Sequence, residues 1–177
     1  MTGEESDVAK NKKKTSSISD PARFFLLGAL TGARSATPLA ALALRYNEKT
    51  PAGTWRSWPM FRTPVGRASL LASAAGELIA DKLPKTPSRI KSGPLLGRAV
   101  AGAVIGLAVG SGVKGAVKGQ DARIEAAILG AAGAVVGSVA GYLGRRLLQA
   151  LRFPDGFGAV AEDTLAIVGS ARLVSES

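Results

Sequence analysis

Residues 123–148 read RIEAAILGAAGAVVGSVAGYLGRRLL, and this stretch decides the fold. A helix rises about 1.5 Å per residue, so about 20 apolar residues cross the roughly 30 Å hydrocarbon core of a bilayer. The stretch is long enough to do so. Gly133, Gly137 and Gly141 recur at four-residue spacing, and Ala126, Gly130 and Ala134 form a neighbouring stripe. That spacing puts each set on one helix face. In water so much glycine weakens a helix. In lipid, small faces let backbones approach closely, and packing drives association. These glycines therefore read as a packing surface, a glycine zipper, in preference to a glycine-lined pore.

The preceding segment, about Leu95 to Val113, carries the same signature in Gly102, Gly106 and Gly110. The two segments are expected to form an antiparallel hairpin, turning around Lys114–Asp121. Three further segments complete the expectation. One runs from about Phe24 to Leu44, with Ser19-Asp20-Pro21 as its start. Arg34 lies near its middle, and Pro38 is expected to kink it. A short one, about Gly66 to Leu83, contains Glu77 and Asp81 and is a tilted, partial or re-entrant span. Pro84 ends it. The last, about Phe157 to Val174, follows a turn at Pro154-Asp155-Gly156 and carries Glu162 and Asp163. The fold class is all-α: a polytopic membrane helix bundle with about five membrane-embedded segments. Residues 1–20 read as a disordered basic cytoplasmic tail, 21–174 as the membrane domain and 175–177 as a short tail.

The connection Trp55-Arg56-Ser57-Trp58-Pro59-Met60-Phe61 clusters aromatics. Tryptophan favours the headgroup level, so this stretch is expected on the membrane surface. A loop folded over helix ends is the compatible alternative.

Composition limits the chemistry. The 177 residues contain neither cysteine nor histidine. Disulfides, thiol chemistry, Cys or His metal sites and a histidine base are therefore excluded. Any metal would need oxygen ligands, which favours hard cations. No cofactor motif is present, no Gly-x-x-x-x-Gly-Lys-Ser/Thr phosphate loop occurs, and no enzyme is expected. The net charge of +10 suits nucleic acid or anionic headgroups. Because the basic residues fall between apolar stretches and form no single stripe, lipid is the expected partner and nucleic acid is not. A slight excess of Lys and Arg on the N-terminal side favours a cytoplasmic N-terminus.

The charges inside apolar segments carry the functional question. One charge at mid-bilayer costs about 2.5–3.5 kcal/mol on insertion scales. This chain accepts that cost at Arg34, Glu77, Asp81, Glu162 and Asp163, with Lys82 and Arg98 nearer the interface and able to snorkel. Glu77 and Asp81, four apart, stack on one helix face, where their repulsion becomes tolerable if one is protonated or a cation sits between them. Glu162 and Asp163 diverge by about a quarter turn, so they can meet different partners. Four carboxylates against one mid-span arginine leave negative charge in surplus if all share a cavity. That surplus would suit protons or a small cation. The alternative is a set of salt bridges, such as Arg34 with Glu162 and Lys82 with Glu77, that fixes helix register.

Several of these pieces occur together as Gly32-Ala33-Arg34-Ser35-Ala36-Thr37-Pro38, Glu77-Leu78-Ile79-Ala80-Asp81-Lys82-Leu83-Pro84, Gly93-Pro94-Leu95-Leu96-Gly97-Arg98 and Glu162-Asp163. In order and spacing this set resembles the bacterial membrane-protein family called domain of unknown function 4126. The resemblance covers nearly all of Phe24 to Val174. It implies a multi-span inner-membrane protein and supplies no reaction. The basic N-terminal tail and the tryptophan-bearing connection depart from the family pattern.

Three functions remain open on the sequence. The first is a transporter or channel for protons or a small cation, with Glu77, Asp81, Glu162 and Asp163 binding the ion, Arg34 tuning the site, and Pro38 and Pro84 breaking helices around it. The second is a structural or partner-binding membrane protein with internally paired charges. The third, disfavoured, is a soluble nucleic-acid-binding protein. The small size suggests a homo-oligomer.

Overall fold

The computed structural model describes residues 18–49, 53–80, 92–113, 122–152 and 155–175, and among these every regular element is helical. Helix α1 spans Asp20–Ala33, α2 Thr37–Leu44, α3 Pro59–Arg62, α4 Pro64–Ala80, α5 Ser92–Gly110, α6 Ala122–Ala150 and α7 Asp155–Ser175. A 3₁₀ turn covers Thr54–Ser57. Helix α1 begins where the sequence predicts: Ser19 is its N-cap with extended backbone and proline follows in the first turn, but the Ser19 hydroxyl makes no capping hydrogen bond, and the amide of Arg23 donates to the Ser19 carbonyl at 2.9 Å. The N-terminal tail, the 114–121 turn and Pro84 lie outside the described residues.

Helix α6 is the centre of the bundle. Its Ala126/Gly130/Ala134 stripe meets α5, which runs antiparallel to it: a Cβ on Gly106 would overlap the Ala126 carbonyl, and one on Gly130 the Gly102 carbonyl. The predicted hairpin is therefore present. The Gly133/Gly137 stripe serves a different helix. It packs on α1, parallel to α6, where a Cβ at either position would strike the carbonyls of Phe25 and Ala29. From its side α1 contributes Gly28 and Gly32, which touch the backbone at Gly130 and Ala134. The bundle is thus a three-helix sandwich held by backbone proximity, the packing mode of bilayer interiors. Ser138 adds a polar tie: its hydroxyl lies 2.8 Å from the Ala134 carbonyl and 3.1 Å from that of Gly32.

Large side chains gather at one pole. Phe24 and Leu27 of α1, Leu42 of α2, Ile105 and Val109 of α5, Leu173 and Val174 of α7, Trp55 of the 3₁₀ turn and Phe61 of α3 form one buried cluster. Trp55 is fully buried, edge-on to Phe61 with ring centres 5.1 Å apart and to Tyr46 at 6.3 Å. The Arg56 guanidinium sits 4.5 Å above its ring. The amide of Thr54 donates to Ser111 Oγ at 2.9 Å, tying the connection to the end of α5. Next to it Gly53 takes φ 140°, a conformation open to glycine alone in practice. The aromatic connection is thus folded over the helix ends, with its chief tryptophan in the core.

Among the described residues two helices, α5 and α6, are long and apolar enough to cross a membrane, and three if α1 and α2 count as one broken span. This corrects the expected five. Helix α4 has only 17 residues and none of them buried. Helix α7 has the length but carries Glu162, Asp163 and Arg172. The outer face of α6 is apolar and open, with Ile124, Ile128, Leu143 and Leu147 each more than half exposed. So large a contiguous apolar stripe is rare on proteins surrounded by water.

Candidate functional site

The sequence places one helix across Arg34, kinked at Pro38. The structure instead has a break. Helix α1 stops at Ala33, α2 starts at Thr37, and their axes bend by 117°. Pro38 falls in the first turn of α2, where its missing N–H leaves no bond unmade. Arg34 is the C-cap of α1, and its amide still donates to the Leu30 carbonyl at 2.8 Å.

The charged side chains meet at this break. Arg34 is 2% exposed. Its Nε donates to Asp163 Oδ1 at 2.8 Å, and its Nη2 closes on the same oxygen. Its Nη1 lies 3.4 Å from the main-chain oxygen of Glu77 in α4. In return, Glu77 Oε2 accepts the amide of Ala36 at 3.0 Å, at the N-cap of α2. A carboxylate thus sits at the N-terminal end of α2, where the helix dipole favours it.

The adjacent acid on α7 pairs with a residue of α6. Arg145 donates through Nε at 2.9 Å and Nη2 at 2.6 Å to Glu162 Oε2. Glu162 also lies against α6 directly, its Oε1 3.3 Å from where a Cβ of Gly141 would be. The adjacent acids therefore diverge to different arginines, as their spacing predicts. The suggested pairing of Arg34 with Glu162 is corrected: Arg34 takes Asp163, because Glu162 points along α7 toward α6. Arg98 of α5 is half-buried within electrostatic reach of Glu77 and Glu162, and of Arg34 and Arg145. Its Nη1 is buried without a hydrogen-bond partner among the described residues.

The charge balance changes accordingly. Among the described residues, Arg34, Arg98 and Arg145 face Glu77, Glu162 and Asp163, so the expected negative surplus is absent there. Asp81 and Lys82 lie outside the described residues, and with them the Glu77–Asp81 stack and the Lys82–Glu77 pairing. No group of three potential metal-ligand side chains converges among the described residues. Arg145 is a site residue that the sequence alone does not single out. Its signal was the four-residue step from Gly137 and Gly141, which puts it on a packed face.

In comparisons with family models, curated proteins and solved structures, nothing matches this chain.

Proposed function

We propose that this is a multi-pass integral membrane protein whose buried charges form an internally paired polar core that holds a broken helix in place. The observation that carries the proposal is the double engagement of Arg34, which binds Asp163 of α7 and the main-chain oxygen of Glu77 in α4 while the Glu77 carboxylate caps α2. Paired, hydrogen-bonded charges of this kind fix register between helices, and removing one partner strands the other. The exposed apolar face of α6 supports a bilayer setting, the resemblance noted above points to a bacterial inner membrane, and the slight excess of Lys and Arg on the N-terminal side favours a cytoplasmic N-terminus. The decisive measurement is thermal stability of the detergent-extracted chain. Arg34→Ala should lower yield and melting temperature sharply, while proteoliposomes of the native chain carry no ion current. A stable, fully assembled Arg34→Ala protein would count against the proposal.

One observation favours a second reading, transport of protons or a small cation. Broken helices with ionisable residues at the break are the usual setting of transporter sites. On that reading a proton or cation competes with an arginine for Glu77 or Asp163. It requires pH-dependent flux in proteoliposomes that vanishes in both Glu77→Gln and Asp163→Asn.

A further inference from the structure

Helices α1, α6 and α7 do not close on one another along their whole length. Between them runs a groove of about 560 Å³, bordered by Leu26 and Leu30 of α1, Gly141 and Gly144 of α6, and Gly158 and Leu173 of α7. Its lining is aliphatic except for the Arg145–Glu162 pair in one wall. We propose that this groove holds one acyl chain of an anionic phospholipid, with the headgroup at the C-terminal end of α6. The proposal rests on the membrane reading above and adds a specific ligand to it.

The shape and lining suit the occupant. From residue 158 to 173 the groove follows α7 for about 22 Å at about 1.5 Å per residue. A long, narrow, aliphatic run of this kind matches an extended hydrocarbon chain. The length also exceeds the about 15 Å half-thickness of the hydrocarbon core, as a chain entering from one leaflet requires. Where α5 and α6 meet, glycine brings backbones into contact. Here the same residue type opens space instead: a Cβ on Gly144 would meet nothing within 4 Å.

Charge selects the headgroup. Arg145 lines the groove, and Arg152 follows one turn beyond Leu148, itself a lining residue. Arg152 is exposed, as is Arg146 beside it, over the ring of Tyr142. No acidic residue lies between Tyr142 and Arg152. A basic cluster at a helix end, level with the interface, attracts anionic lipid.

The test uses the full chain extracted in mild detergent, with phosphatidylglycerol or phosphatidylcholine of matched chain length added and adducts counted by native mass spectrometry. One phosphatidylglycerol should be retained at least about fivefold more than phosphatidylcholine, the preference expected from roughly one basic residue at the headgroup. Gly144→Phe, which fills the groove, should lose the adduct while keeping its helical circular dichroism. Arg152→Gln, outside the bundle, should keep an adduct but lose the preference. Equal retention of both lipids by the native chain overturns the proposal, as does an undiminished adduct in folded Gly144→Phe. Recovery in the cytosolic fraction without detergent would instead sink the membrane reading, and the lipid site with it.

Discussion

Asp163 accepts the Nε–H of Arg34 at 2.8 Å although 129 positions separate the two in sequence. The bond joins the break after the first helix to the middle of the last. Arg34 is almost wholly enclosed and Asp163 nearly so, with side-chain exposures of 2% and 14%. Removing one partner from such a pair costs about 3–5 kcal/mol, chiefly because the other is left charged and buried. Arg34→Ala and Asp163→Asn should each depress the melting temperature strongly, and the double variant should lose much less than the sum. Additive losses in a double-mutant cycle would show that the two do not act as a pair.

Glu77 has a role that its charge alone does not capture. Its carboxylate accepts the amide that opens α2. Glutamine retains an acceptor of the same reach; alanine retains none and leaves the amide unsatisfied, at about 1–3 kcal/mol. Glu77→Gln should therefore melt well above Glu77→Ala. Equal, large losses in both would mean that charge, not hydrogen bonding, is what this position supplies.

The glycines divide into two functional kinds, and substitution should separate them. At Gly130 any side chain drives into the Gly102 carbonyl. Gly130→Leu is expected to cost about 1–3 kcal/mol or more, as overpacked interiors do. At Gly97, on the same helix as Gly102, a Cβ meets nothing. Gly97→Ala should raise stability by up to about 1 kcal/mol through helix propensity. Equal responses at the two sites, read as melting temperatures, would contradict the packing described.

Trp55 closes the apolar pole. Its ring is fully buried between Tyr46 and Phe61, and Trp55→Ala should cost about 3–5 kcal/mol. Because the same loop is tied to Ser111, chymotrypsin should cleave the variant within residues 53–63 faster than the native chain. Unchanged cleavage would indicate that the connection is held without the tryptophan.

Much of this organisation was legible in the sequence, and the parts that were not have physical causes. Four-residue glycine spacing identified the α5–α6 hairpin, because close packing in lipid leaves little choice of residue. It did not reveal that the Gly133/Gly137 stripe faces α1, since two small faces look alike until a partner is assigned. The start of α1 was readable from Ser19 and Pro21, local signals with local effects. Pro38 promised a kink and delivered a new helix start, a distinction set by Arg34, whose partner comes from α7. The number of spans was overestimated because α4 and α7 are apolar in outline yet short or charged in detail. Of the site, the ionisable residues could be named from sequence, whereas the choice of Asp163 over Glu162 depended on which way α7 is rotated.

The connection between α1 and α6 constrains biosynthesis. Gly32 waits for Ser138, which appears 106 residues later. At a translation rate of about 5–20 residues per second, the first helix leaves the ribosome about 5–20 s before the helix that embraces it. Arg34 waits longer still for its counter-ion. On the membrane reading proposed above, an uncompensated guanidinium and a bare glycine face are to be kept from the lipid through that interval, so the first helix is expected to linger beside the insertion machinery and enter the bilayer only together with its later partners.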